Sequence, residues 1–237
     1  MTEDTSPRYR MLSVIVPVFD ERNTVGEVIR RLRSLELPGE LDLEVVVVDD
    51  GSTDGTDKVL RTIEDSTVRV VRHGSNRGKG AAIRSGLAEA RGDVVLLQDA
   101  DLEYSPEDVP RLVQPILSGR AKVVYGSRFH PEREAMPLSR LLADRALSVA
   151  ACVLFNTTVT DIETGYKVFD RKVIDDLVVD ADGFDYEAEL TAKLLKAGHR
   201  IFEVPVAYSG LAQAKRPGSK SRISGFKTLV QGRFAKA

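Results

Sequence analysis

Apolar residues fall in short blocks through the first hundred positions, separated by polar and glycine-containing stretches. Leu12–Val18 is a continuous β-rich run of the kind buried on both faces, and Leu43–Val48, Val68–Arg72 and Asp93–Gln98 read as further strands. Between the first two, Asn23 and Thr24 can cap a helix whose apolar face is Val25, Val28, Ile29 and Leu32. The loop Asp49–Thr56 supplies Ser, Thr and Asp residues to cap a second helix. Asn76-Arg77-Gly78-Lys79-Gly80 leads into a third, reaching about Ala90. Strands alternating with helices predict an α/β fold, a single domain with a mostly parallel doubly wound sheet and helices on both faces. Later, Leu138–Phe155 reads as a helix with an apolar C-terminal half, which admits two placements, in the core or on a bilayer surface.

The 237 residues suffice for one sizeable core. A polar segment, 1–10, precedes the domain expected over 11–210, and a basic tail, 211–237, follows it. The net charge of -2 hides that division, because the tail carries seven basic residues and no acidic one. Cys152 is the single cysteine and His73, His130 and His199 are scattered, so neither a disulfide framework nor a zinc cluster is expected. The first apolar run stops at Asp20-Glu21-Arg22 without a cleavage pattern, and the uncharged apolar run Ala146–Phe155 is too short to span a bilayer. A cytoplasmic protein, peripheral on the cytoplasmic face of a membrane, is the expectation. The tail's few aromatics argue against nucleic acid as partner.

The chemistry concentrates where strands end. Asp20 and Glu21, Asp49 and Asp50, and Asp99 and Asp101 follow the first, second and fourth strands, so six carboxylates are expected on one rim, where ligands of such sheets collect. Gathered like charges call for a compensating cation or donor groups. Asp99 and Asp101 are spaced to face the same way, and hard cations such as Mg²⁺ or Mn²⁺ need only one or two protein carboxylates when phosphate oxygens complete their shell. Asp54 and Asp49 also read as turn and capping residues. A P-loop is excluded because Gly80, not Ser or Thr, follows Lys79, and a dinucleotide fingerprint lacks its third glycine. Lys79 is left with two readings, a solvated helix entry or a phosphate contact.

Pro17-Val18-Phe19-Asp20-Glu21, Val48-Asp49-Asp50-Gly51-Ser52-Thr53-Asp54-Gly55-Thr56, Asn76-Arg77-Gly78-Lys79-Gly80 and Gln98-Asp99-Ala100-Asp101 occur in the order and spacing of family 2 glycosyltransferases with the GT-A fold, which this sequence resembles from about Met11 to Tyr208. Gly126-Ser127-Arg128-Phe129, Asp161 to Phe169, Phe184 to Leu190 and Glu203-Val204-Pro205-Val206 are most similar to polyprenyl-phosphate and dolichyl-phosphate mannose or glucose synthases. One departure is Ala214, where mannose-type synthases carry an arginine six residues before the lysine of a Ser-Lys pair, here Ser219-Lys220; Lys215 or Arg216 is placed to supply that charge.

The resemblance implies nucleotide-sugar contacts from Pro17, Phe19, Glu21, Val48, Asp50, Asp99, Ala100, Asp101, Arg128 and Lys220, a metal held by Asp99 and Asp101, and catalytic roles for Asp101 and Arg128. Arg128, Arg140, Arg216 and Lys220 are candidates for the acceptor phosphate. The implied reaction is an inverting transfer, most simply of mannose from GDP-mannose, to a polyprenyl phosphate at a membrane surface, with a membrane-embedded partner subunit as a further expectation. UDP-glucose as donor, a saccharide hydroxyl as acceptor with Asp185 or Glu187 as base, and a silent nucleotide-binding subunit are the competing readings.

Overall fold

The structure, a computed structural model, describes residues 9–129, 138–183, 185–209 and 219–234, without the side chains of 138–144 and 219–222. Seven strands form one sheet: β1 (Met11–Val18), β2 (Asp42–Asp49), β3 (Val68–Arg72), β4 (Val94–Leu97), β5 (Val123–Ser127), β6 (Lys167–Asp170) and β7 (Ile201–Pro205), in the order β3-β2-β1-β4-β6-β5-β7. The first four strands lie parallel, as the sequence predicts. β6 runs antiparallel to both β4 and β5, so the sheet is mixed on that side. Leu97, the last residue of β4, pairs with Lys167, the first of β6. The chain therefore enters β6 at the same edge where it leaves β4.

Each central strand buries both faces. Val14, Val16, Val45, Val47 and Leu96 point to one layer with α1 (Val25–Arg33) and α4 (Val109–Leu117). Ile15, Val46, Val48, Val95 and Leu97 point to the other, which holds α3 (Lys79–Glu89), α5 (Leu138–Phe155) and α7 (Tyr186–Lys196). Val25, Val28, Ile29 and Leu32 of α1 are all buried, the face read from their spacing. Two short helices, α2 (Thr56–Arg61) and α6 (Arg171–Asp175), complete the crossovers.

Within segment 211–237, α8 (Ser219–Phe234) packs on α7 and α5: Leu229 is fully buried, and Cβ atoms added at Gly225 and Gly232 would meet Leu147 and Ala192 at 3.3 and 2.8 Å. The helix Leu138–Phe155 is buried on one side and exposed on another, so core packing accounts for part of it. Leu147 and Ala151 are buried, whereas Val149 and Val153 are 59 and 78% exposed. Among the described residues no helix is long and apolar enough to cross a membrane.

α3 lies so close to β1 that a Cβ at Gly86 would stand 2.4 Å from Ile15 Cγ2. In an open helix Gly→Ala gains about 1 kcal/mol of propensity. Here overpacking dominates, and Gly86→Ala is expected to lower unfolding free energy by about 1–3 kcal/mol in urea titration.

Candidate active site

The loops leaving β1, β2 and β3 are stitched together by their own acidic residues. Asp20, at φ 53°, accepts the Thr53 amide at 2.7 Å, and its own amide donates to Ser52 Oγ at 2.9 Å. Asp49 accepts the Ser52 amide at 2.9 Å and pairs with Arg72 at 3.2 Å. Asp54 accepts the Arg22 and Thr56 amides at 3.1 and 2.9 Å, its expected turn and capping role. Glu21 accepts the Thr24 hydroxyl at 2.9 Å, so Thr24 ties α1 to the β1 loop rather than capping it through its side chain.

Asp50 is buried among donors: His73 Nδ1 at 2.6 Å and the Arg77 and Gly78 amides at 2.9 and 2.8 Å. It fixes the entry to α3. The six rim carboxylates therefore do not gather around one ion, as the spacing had suggested. Four serve local loop geometry, and among the described residues no group of three or more His, Cys, Asp or Glu side chains is placed to hold a metal.

Asp99 and Asp101 remain. Lys79, at the start of α3, places its ammonium 2.8 Å from Asp99 Oδ1 and 3.0 Å from Glu187 Oε1 on α7. Its ammonium is ion-paired and its side chain only 20% exposed, which corrects the reading of Lys79 as a solvated helix entry. Burial works against its charge, but the two carboxylates outweigh burial and raise its pKa. The glycines around Lys79 serve packing. Cβ atoms at Gly78 and Gly80 would stand 2.2 and 2.1 Å from the carbonyl oxygens of Asp182 and Ala181, and the Gly80 amide donates to Asp182 at 2.8 Å.

Beneath Asp99 lies Gly165, where a Cβ would stand 2.1 Å from Asp99 Oδ2; its amide donates to Tyr104 Oη at 2.8 Å. Asp101 accepts the Glu103 amide at 3.0 Å. Burial, and then the charge of Asp99, lift the Asp101 carboxyl from its ordinary 3.8 to about 7. Beyond Gly165, Lys167 is fully buried, donating to the Thr164 carbonyl with its ammonium 4.9 Å from the Tyr125 ring centroid; burial lowers its pKa.

A divalent cation fits this set. Two carboxylates one residue apart, close enough that the charge of Asp99 lifts the Asp101 carboxyl, offer the hard oxygen ligands such an ion takes. Pro17, Phe19 and Glu21 are part-exposed at the rim of the β1 loop, whereas Val48 and Ala100 are buried and can offer a ligand only main chain.

Arg128, after β5, is clamped by Asp161: Nε to Oδ2 and Nη2 to Oδ1 are both 2.7 Å, and the Arg128 amide also donates to Asp161, at 3.0 Å. Burial opposes its charge, but the Asp161 carboxylate holds the pKa above normal. Glu203 braces the loop in turn, accepting the Thr160 and Asp161 amides at 2.9 and 3.1 Å. The guanidinium is 5.6 and 5.3 Å from the centroids of the Phe129 and Tyr208 rings, and that of Arg145 on α5 is 5.0 Å from the Phe129 centroid.

Sequence reasoning assigned no role to Arg145, Asp161 or Gly165, and it missed the pairing of Lys79 with Glu187. Asp161, Gly165 and Glu187 stand inside motifs quoted above, but nothing local to Lys79 signals a partner 108 positions away. Arg140 and Lys220 fall on helix segments whose side chains lie outside the described residues, as does Arg216 entirely.

Comparison with known proteins places this geometry. Residues 13–178 match the family model for glycosyl transferase family 2. The chain is 30% identical to a polyprenol monophosphomannose synthase of Mycolicibacterium smegmatis over 98% of its own length and 91% of the relative's. It is likewise 30% identical to an undecaprenyl-phosphate mannosyltransferase of Micrococcus luteus, covering 89% of this chain and 86% of that one. Among solved structures it superimposes on glucosyl-3-phosphoglycerate synthase from Mycobacterium tuberculosis bound to UDP, with a TM-score of 0.73, 27% identity and coverage of 96 and 82%. The same enzyme with Mn²⁺, UDP-glucose and phosphoglyceric acid gives a TM-score of 0.72 at 26% identity, over 96 and 81% of the two chains. The mixed sheet with its acidic pair at the end of β4 is thus a GT-A domain, and the chain is a nucleotide-sugar-dependent enzyme belonging to glycosyl transferase family 2.

Proposed function

We propose that the chain transfers a hexose, mannose from GDP-mannose in the first reading, to the phosphate of a polyprenyl phosphate. The observation that carries this is the state of Glu187. A sugar hydroxyl needs a general base, and Glu187, a candidate for it, is buried and ion-paired to Lys79. Asp185, the other candidate, accepts from Ser224 at 3.3 Å. An ionised phosphate needs no base. Its oxygen attacks the anomeric carbon in line as the bond to the diphosphate oxygen breaks, which inverts the configuration. The relatives named for mannosyl transfer to polyprenyl phosphates support the same acceptor. UDP-glucose is the second donor reading, favoured by the likeness to an enzyme crystallised with it.

In this reading Asp101, with Asp99, holds Mg²⁺ or Mn²⁺, which supplies charge neutralisation to the leaving diphosphate. The β1 loop and Asp50 frame the nucleoside, with Val48 and Ala100 contributing main chain. Arg128 and Arg145, 5.6 and 5.0 Å from the Phe129 ring centroid, present two positive charges for phosphate oxygens, and Asp161 keeps Arg128 oriented. Arg140, Arg216 and Lys220 are the further candidates from the sequence.

The membrane-facing surface is α5 with α8. Val149 and Val153 on α5, and Ile223, Phe226 and Phe234 on α8, are exposed by 53 to 78%, beside exposed Lys227 and Arg233. Apolar side chains among basic ones suit an anionic bilayer, at about 1 kcal/mol per nearby cation.

Three measurements test this reading. Calorimetry with GDP-mannose and UDP-glucose, with and without Mn²⁺, should show metal-dependent binding of one donor, and labelled sugar should pass to polyprenyl phosphate. Transfer only to soluble hydroxyl acceptors would overturn the proposed acceptor. Sedimentation with vesicles containing anionic lipid should capture the protein; a Val153→Ser, Phe226→Ser double variant should lose most of that binding, and about 0.5 M salt should weaken it.

The third measurement concerns Asp101. With its folded pKa near 7 and its ordinary value 3.8, the folded metal-free protein keeps a proton that the unfolded chain loses between those pH values. Stability in EDTA should therefore fall as pH rises through that window and level off above 7. Asp101→Asn should remove that decline, so that its melting temperature exceeds wild type at pH 8 while transfer drops by roughly a hundredfold or more.

A further inference from the structure

Lys79 has more acid around it than neutralising one ammonium requires. Two of its three N–H donors meet carboxylates from distant parts of the fold, Asp99 after β4 and Glu187 on α7, at 2.8 and 3.0 Å. The groups are largely enclosed, with Lys79 20%, Asp99 21% and Glu187 11% exposed. Asp99 is also half of the carboxylate pair available to a divalent ion. Without ligand, its charge is already answered by the ammonium.

We propose that Lys79 is a resident counter-cation that competes with the divalent ion for Asp99, and that Glu187 is the positioning residue that receives the ammonium when the ion arrives. An incoming dication repels the ammonium and takes over the charge of Asp99. Displacement would strand a buried cation if nothing else held it, and Glu187 is already within hydrogen-bonding distance. The exchange keeps the empty site compact and disfavours free metal ions. A nucleoside diphosphate shifts the balance, because its oxygens add negative charge and complete the shell of the ion.

The inference depends on the divalent-ion reading above, yet it is tested without sugar donor or acceptor. Free Mn²⁺ is followed by electron paramagnetic resonance during titration of the whole protein, first without nucleotide and then with GDP or UDP. Lys79→Met, which keeps chain length and removes charge, should tighten nucleotide-free Mn²⁺ binding at least about tenfold. Glu187→Gln should weaken it about tenfold, since the displaced ammonium loses its second partner. The double variant should resemble Lys79→Met, because Glu187 acts through Lys79.

A purely structural role for the pair would weaken binding in all three variants. That result, or a Lys79→Met protein with native circular dichroism and wild-type or weaker Mn²⁺ affinity, would overturn the proposal. Should Lys79→Met not fold, Lys79→Gln is titrated in its place against the same expectations. Wild-type protein that binds no Mn²⁺ even with GDP or UDP would remove the divalent-ion reading itself. Wild-type binding with nucleotide, without tightening in the Lys79 variant, would remove only the exchange.

Discussion

Two carboxylates enclosed at the end of one buried strand are the constraint around which this enzyme is built. Asp99 and Asp101 follow β4, whose four residues are all buried, so their main chain has little freedom to move apart. Bringing like charges into a partly dehydrated corner is unfavourable unless cations, donors or protons answer them. The fold uses all three. Lys79 answers Asp99, the Glu103 amide answers Asp101, and the Asp101 carboxyl keeps its proton to a higher pH than an ordinary aspartate. Each device is one that a ligand can replace, which is what separates a binding site from a salt bridge that merely stabilises.

The other acidic residues of the rim solve a different problem. Loops after β1, β2 and β3 carry several unpaired amides, and short acidic side chains satisfy them at close range. Asp50 shows how far this goes, because three donors converge on it, one from a histidine after β3 and two from the segment entering α3. This part of the rim is therefore held in shape by the chain's own hydrogen bonds. Shape of this kind lowers the ordering cost of association.

Much of this was legible in the sequence, and the failures have physical reasons. β1 to β4 fall within a residue or so of the runs read from hydrophobicity, the buried face of α1 was correct residue by residue, and α5 spans the helix expected. These features depend on local periodicity. The antiparallel β6 was invisible because four residues carry no directional information and strand polarity is settled by pairing far along the chain. Lys79 misled for the same reason, since a lysine beside glycines looks exposed until α7 brings Glu187 to it. The rim carboxylates were over-read as one cluster because sequence gives position along a strand and not the direction of a side chain beyond its end.

The reversed direction of β6 has a wider consequence. In a wholly parallel sheet only the segments that leave strands reach the ligand edge, but here a segment that enters one does so as well, delivering Gly165 beneath Asp99. The long excursion between β5 and β6 begins and finishes at that edge, with Arg128 at its start and the glycine near its close. Such a closed detour can grow, shrink or change composition while every strand keeps its register. The side chains presented at the ligand edge can thus diversify by editing one stretch of chain, with the strand framework left in place.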